Sequence, residues 1–135
     1  MLDDDLPIRS DDDVLRLVRE VIGDDGVRGR TAWVLLLDAD DRPMPTVIPV
    51  EGVPVDPDPD HVARFAEAVG AVLQAVGGSR AIIAWERDGG GAVRMQEADW
   101  AGALAATGLP LRAQLLATDD GVRLLDPDFE RIVAG

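Results

Sequence analysis

The sequence predicts a single α/β domain with a mixed β-sheet and about three helices, in the order α-ββ-α-β-α-ββ. Three observations predict it. Segments with apolar residues at helical spacing alternate with short apolar runs of strand length. The run Ala81–Trp85 is apolar at every position, as expected of a central strand covered on both faces. Clusters of Asp, Gly and Pro separate these segments. At 135 residues and 47% apolar content, the chain is sized for one core that buries roughly two-thirds of the unfolded surface.

Residues 1–12 read as an acidic flexible N-terminus and 13–130 as the domain. The triplets Asp3–Asp5 and Asp11–Asp13 suit a solvated segment better than a cation site. Asp12 or Asp13 can cap a helix that starts at Val14, where Val14, Leu17, Val18, Val21 and Ile22 share one face. Gly23 stops it, and GDDG at 23–26 is a turn, since no phosphate-loop spacing follows. Ala32–Leu37 and Met44–Val50 form two strands around DADDRP. Pro45 and Pro49 place the second at an edge, because proline cannot donate to a ladder.

The segment EGVPVDPDPD is an extended connection to a long helix over His61–Val76 with Asp60 as its cap. Val62, Phe65, Ala66, Val69, Val72, Leu73 and Val76 form its apolar stripe, and Gly77-Gly78 ends it. The strand Ala81–Trp85 follows, then the loop RDGGGAVR. A third helix over Gln96–Thr107 turns Trp100, Ala103, Leu104 and Thr107 to the core and stops at Gly108. Leu111–Ala117 and Val122–Leu125 close the chain as a hairpin around an Asp-Gly turn.

Composition removes several classes of function. There is no Cys, so disulfides, thiolate zinc sites and Cys nucleophiles are excluded. Lys and Tyr are also absent, and His61 is the sole His. Ser10 and Ser79 are the only serines, and neither lies in a nucleophile elbow. Chemistry would have to rest on carboxylates, Arg, Thr or a carboxylate-bound metal. A net charge of −13 repels phosphate, so nucleic acid and anionic membranes are not expected partners. No apolar run approaches the ~18 residues of a membrane span, and the acidic start is unlike a secretory signal, so the expected location is cytoplasmic. All 13 bases are Arg, a pattern best read as genomic composition bias.

Four constellations have a chemical and a plain reading. Asp56, Asp58 and Asp60 with Glu67 approximate calcium-loop spacing, but His61 stands where that loop needs Gly, so a stiff connector is the better reading. His61, in the first turn of its helix, reads as a surface residue. Gly89-Gly90-Gly91 lies between a strand and a helix but lacks dinucleotide or P-loop spacing, and reads as a flexible hairpin or lid. Trp33, Trp85 and Trp100 read as core.

The span from about Trp33 to Asp126 resembles the JAB/MPN metalloprotease-like domain of the RadC type. The resemblance is carried by a hairpin, a long helix, the strand and loop AIIAWERDGG, and QEADWAGALAATGLPLRAQLLAT. It implies a JAB/MPN-like fold with the layering of cytidine deaminase-like proteins. The family's two metal-binding His fall on Trp85 and Arg87, and its Pro-Ser-Gly on Asp88-Gly89-Gly90. Its metal-binding Asp falls near Asp99, one residue off, its Ser near Met95, and a family Glu near Glu51. The degenerate-site positions are therefore Trp85, Glu86, Arg87, Asp88 and Asp99. With both His replaced, the resemblance implies a domain without metal, cofactor or hydrolase activity. It further implies that Arg87 pairs with Asp99 in place of the metal and that Trp85 fills the space of the first His.

The leading functional expectation is a non-catalytic domain working through a protein partner or as a homo-oligomer. One alternative is an enzyme using Arg87 with a Mg²⁺ ion held by Glu86, Asp88 and Asp99. Another is a sensor in which Trp85, Trp100 and Arg87 receive a small, partly apolar anion. A roadblock- or profilin-like fold is the structural alternative, although it gives no reason for a helix directly after Ala81–Trp85.

Overall fold

The all-apolar run at Ala81 becomes the middle strand of a five-stranded mixed sheet. The structure is a computed structural model that describes residues 6–22 and 30–125. Its elements are α1 (Asp11–Ile22), β1 (Thr31–Leu37), β2 (Pro43–Glu51), α2 (Pro59–Val76), β3 (Arg80–Glu86), α3 (Met95–Ala106), β4 (Leu111–Thr118) and β5 (Gly121–Leu125). This is the predicted order. The sheet runs β2-β1-β3-β4-β5. β3 and β4 are parallel, joined by α3, and the other pairs are antiparallel.

Strand alternation divides the core in two. On one face Ala32, Val34 and Leu36 of β1, with Ala81, Ile83 and Trp85 of β3, pack under Val62, Phe65, Val69 and Leu73 of α2 and Trp100 and Leu104 of α3. On the other, Leu35, Leu37, Ile82, Ala84 and Leu115 meet Ile8 and Val14, Leu17 and Val18 of α1. The result is three layers, with β3 buried on both faces as its composition requires.

β2 is an edge strand, as its prolines predict. Pro49 pairs with Trp33, and Pro45 lies where the register shifts by a bulge between Leu35 and Leu37. A strand with a neighbour on one side only tolerates residues that cannot donate.

Three helix details differ from the sequence reading. α1 begins at Asp11, and its cap is Ser10: Ser10 Oγ accepts the Asp13 N–H (3.2 Å), while Asp13 accepts from the N–H groups of Ser10 (3.2 Å) and Arg9 (2.9 Å). This reciprocal box satisfies donors at both ends of the first turn. Just ahead of it, Ile8 is buried and its N–H donates to Asp41 O (2.7 Å). α2 begins at Pro59 and is capped by Asp58, which accepts from the Asp60 N–H, so Asp60 is inside the helix. Proline in the first turn has no N–H to leave unpaired, so the helix can start earlier than its apolar stripe. In α3, Ala101 rather than Thr107 completes the buried face. Thr107 closes the helix, its Oγ1 donating to Leu104 O (2.7 Å). The GDDG turn and Asp3–Asp5 lie outside the described residues.

Loss of the α1 cap is expected to be measurable. Ser10→Ala should lower stability by about 0.5–2 kcal/mol in urea unfolding. The Arg9 N–H holds the Asp13 carboxyl below its ordinary value, with Arg16 and Ser10 adding to it. A depressed carboxyl stabilises the fold above the unfolded pKa, and that part is lost as pH falls below about 4. Asp13→Asn should therefore flatten the acid limb of a stability-against-pH curve, and an unchanged limb would refute the assignment.

Candidate functional site

The C-terminal end of β3 holds the residues singled out from the sequence, but their roles differ from those expected. Arg87 directly follows the strand, and its N–H continues the parallel ladder to Ala117 O (3.0 Å). Its side chain is 6% exposed. A guanidinium has five N–H groups, and here each has an acceptor. Nε donates to Glu97 Oε2, Nη1 to Asp88 O (3.0 Å) and Gly90 O (2.8 Å), and Nη2 to Ala92 O (2.8 Å) and Glu97 Oε1 (3.1 Å). The loop after β3 is wound around this one side chain.

Glu97 has two duties. As the third residue of α3 it accepts the Arg94 N–H at the helix start (2.8 Å), and it forms a two-pronged pair with Arg87. Carboxylates are favoured in the first helical turn, where backbone N–H groups are unpaired. The expected Arg87–Asp99 pair is thus corrected to Arg87–Glu97, with no Arg87 donor left for Asp99. The physical reason is position: Glu97 sits at the helix end that faces the loop, one half-turn before Asp99.

The loop is also tied from outside. Gly89 N–H donates to Asp119 (2.9 Å), Gly91 N–H to Asp120 (2.7 Å), Asp119 N–H to Gly89 O (3.1 Å), and Arg123 to Gly91 O (3.2 Å). Gly89 has φ +94°, and a Cβ on Gly91 would lie 3.2 Å from Asp120 and 3.3 Å from the Thr118 hydroxyl. The glycines therefore permit a left-handed turn and a close approach. The reading of this loop as a flexible lid is replaced by a braced loop.

Beside the loop lies a cleft of about 130 Å³. Its apolar wall is Val53, Val55, Trp85 and Trp100, and Arg30, Arg94 and Gln96 are on its lining. Trp85, Trp100 and Phe65 form one aromatic cluster with ring centroids 5.3–6.1 Å apart. Trp85 Nε1–H donates to Gln114 Oε1 (3.1 Å), and the buried Gln114 amide donates to Ala101 O (2.9 Å). Trp100 Nε1–H donates to Pro54 O (3.0 Å). Both indoles thus turn their polar groups into the protein. Arg30 braces the 52–58 connection by donating to Val53 O and Pro54 O. Burial draws its guanidinium below its ordinary value, and Glu97 offsets part of that.

The carboxylates proposed for a Mg²⁺ ion do not converge. Glu86 is buried on the α1 face, where its Oε1 accepts from Trp33 Nε1 (2.9 Å). Asp88 is exposed in the loop after β3. Among the described residues no three His, Asp or Glu side chains group as metal ligands do, Asp56, Asp58 and Asp60 included. Zinc does not fit either, because Trp85 and Arg87 offer it no donor. His61 Nδ1 lies 3.2 Å from Asp58 Oδ2 without hydrogen-bond alignment, in a side chain that is 43% exposed. No described helix is long and apolar enough to cross a membrane.

Gln114, Glu97, Asp119, Asp120 and Arg30 had not been singled out. Only Glu97 had a local signal, an acid in the first turn of a helix that lacks a Ser, Thr, Asp or Asn cap. Compared with known proteins, the chain matches no family model and no curated protein sequence.

Removing one member of the buried pair isolates the other charge. Glu97→Gln should cost about 3–5 kcal/mol in urea unfolding, and adding Arg87→Met to it should recover part of the loss. A change under ~1 kcal/mol for Glu97→Gln would mean that the pair is solvated and does not organise the loop.

Proposed function

We propose that the chain is a non-catalytic domain of JAB/MPN-like type that acts through protein–protein contact, self-association included. One observation carries this reading. At the strand end where the resemblance places two metal-binding His, a guanidinium with all five donors engaged stands beside an indole. A buried ion pair with Glu97 takes the place that a cation and its ligands would need. The order of hairpin, long helix, apolar strand, loop, helix and strand also agrees with the resemblance. Exposed apolar side chains are a further support: Val55, on the cleft wall, is 55% exposed, and Met95, between the lining residues Arg94 and Gln96 in sequence, is 69% exposed.

Elemental analysis of the purified, untagged protein after incubation with zinc and magnesium tests the first half of the reading. Substoichiometric metal is expected, and one ion per chain would overturn it. Sedimentation velocity across a concentration range tests the second half. A concentration-dependent dimer that Val55→Glu with Met95→Glu abolishes would support self-association. A monomer at every concentration would remove that form and leave a different protein as the partner.

A further inference from the structure

We infer that the cleft at the end of β3 binds a small carboxylate with an apolar body, held by Arg30 and Arg94 rather than by Arg87. The argument begins with which groups are still available. Arg87 has no free donor, and neither indole N–H points into the cleft. The carboxylate of Glu97 is engaged by Arg87 and by the start of α3. Two arginines on the lining keep donors that no described residue fills. Arg30 uses Nη1 and Nη2 on two backbone carbonyls, and its Nε–H is unpaired. The Arg94 guanidinium makes no hydrogen bond to a described residue. The lining carries three arginines, Arg30, Arg87 and Arg94, and three acids, Glu86, Asp88 and Glu97. Arg87, Glu86 and Glu97 are engaged with one another or with Trp33, so the lining arginines with unfilled donors are Arg30 and Arg94.

The rest of the lining sets the ligand's body. Val53, Val55, Trp85 and Trp100 present carbon surface, which favours a ring or short aliphatic chain. A volume of about 130 Å³ is below the roughly 300–1,000 Å³ of pockets for drug-sized ligands and near the ~150 Å³ that admits one benzene ring. Arginine's planar fork matches a carboxylate, and a guanidinium at the mouth leaves the apolar end to face the tryptophans. This inference goes beyond the contact role proposed above and does not depend on it.

Benzoate is the probe. Titration of the full chain, followed by the indole ¹H–¹⁵N resonances at constant ionic strength, should give saturable shifts of Trp85 and Trp100 but not of Trp33, which packs on the other sheet face. Benzamide, the neutral counterpart, should bind about tenfold or more weakly, and Arg94→Ala should weaken benzoate by a similar factor. Arg94 is exposed and its guanidinium makes no bond within the described fold, so this variant should keep the parent's unfolding curve. Arg30→Lys supplies a second test that retains charge but loses the fork. No saturable shift, equal binding of benzoate and benzamide, or unchanged affinity in Arg94→Ala would each overturn the inference. Inorganic phosphate competing as strongly as benzoate would overturn the apolar-body part and leave a plain anion site.

Discussion

The Arg87 side chain is the constraint on which the candidate site depends. A buried guanidinium is tolerated only if its charge is matched and its donors are satisfied. Glu97 supplies the charge, and the carbonyls of Asp88, Gly90 and Ala92 supply the remaining acceptors. Those requirements fix the path of the loop after β3 and the place where α3 begins. They also reach the β4–β5 turn, which lies at the same end of the sheet because β3 and β4 are parallel, since the loop so shaped offers the N–H groups of Gly89 and Gly91 to Asp119 and Asp120. A polar centre of this kind holds one arrangement because alternatives would leave buried groups unpaired.

The aromatic cluster follows the same logic at lower polarity. Trp85 and Trp100 contribute area to the core between the sheet and the helices, and each places its single N–H on an acceptor inside the protein. Gln114 connects β3, β4 and α3 through one amide. The side of the cluster left toward the cleft is carbon. Recognition by polarity at this end of β3 therefore passes to the arginines at the rim, while the tryptophans set shape. Strand-to-strand association is discouraged at one edge of the sheet, where β2 carries Pro45 and Pro49. Contact through side chains such as Val55 and Met95 remains compatible with that design.

Much of the fold was legible from local pattern. The order of elements, the central and edge positions of β3 and β2, the stripe of α2 and the Asp-Gly hairpin all arise from periodicity and from the backbone limits of Pro and Gly, which act within a few residues. Cap assignments moved by two or three positions because Ser10 and Asp58 act through side-chain geometry that neighbouring acids mimic in sequence. In the stretch Arg80–Asp99 the central strand agrees with its apolar run, while the partner expected for Arg87 is replaced by Glu97. Four acids, Glu86, Asp88, Glu97 and Asp99, lie near Arg87 along the chain, and sequence spacing does not say which of them faces it.

What the sequence by itself determined is the class of the fold, the absence of Cys and Lys side chains, and the central place of the strand Ala81–Trp85. What only the tertiary structure decided is which polar groups are still free there. A side chain's availability depends on acceptors contributed by other segments: Pro54 for Trp100, Gln114 for Trp85, Asp119 and Asp120 for the glycine loop. Hydrogen-bond saturation is a property of three-dimensional neighbours, so it leaves Arg87 buried and fully engaged while Arg30 and Arg94, unremarkable in the sequence, keep donors to offer.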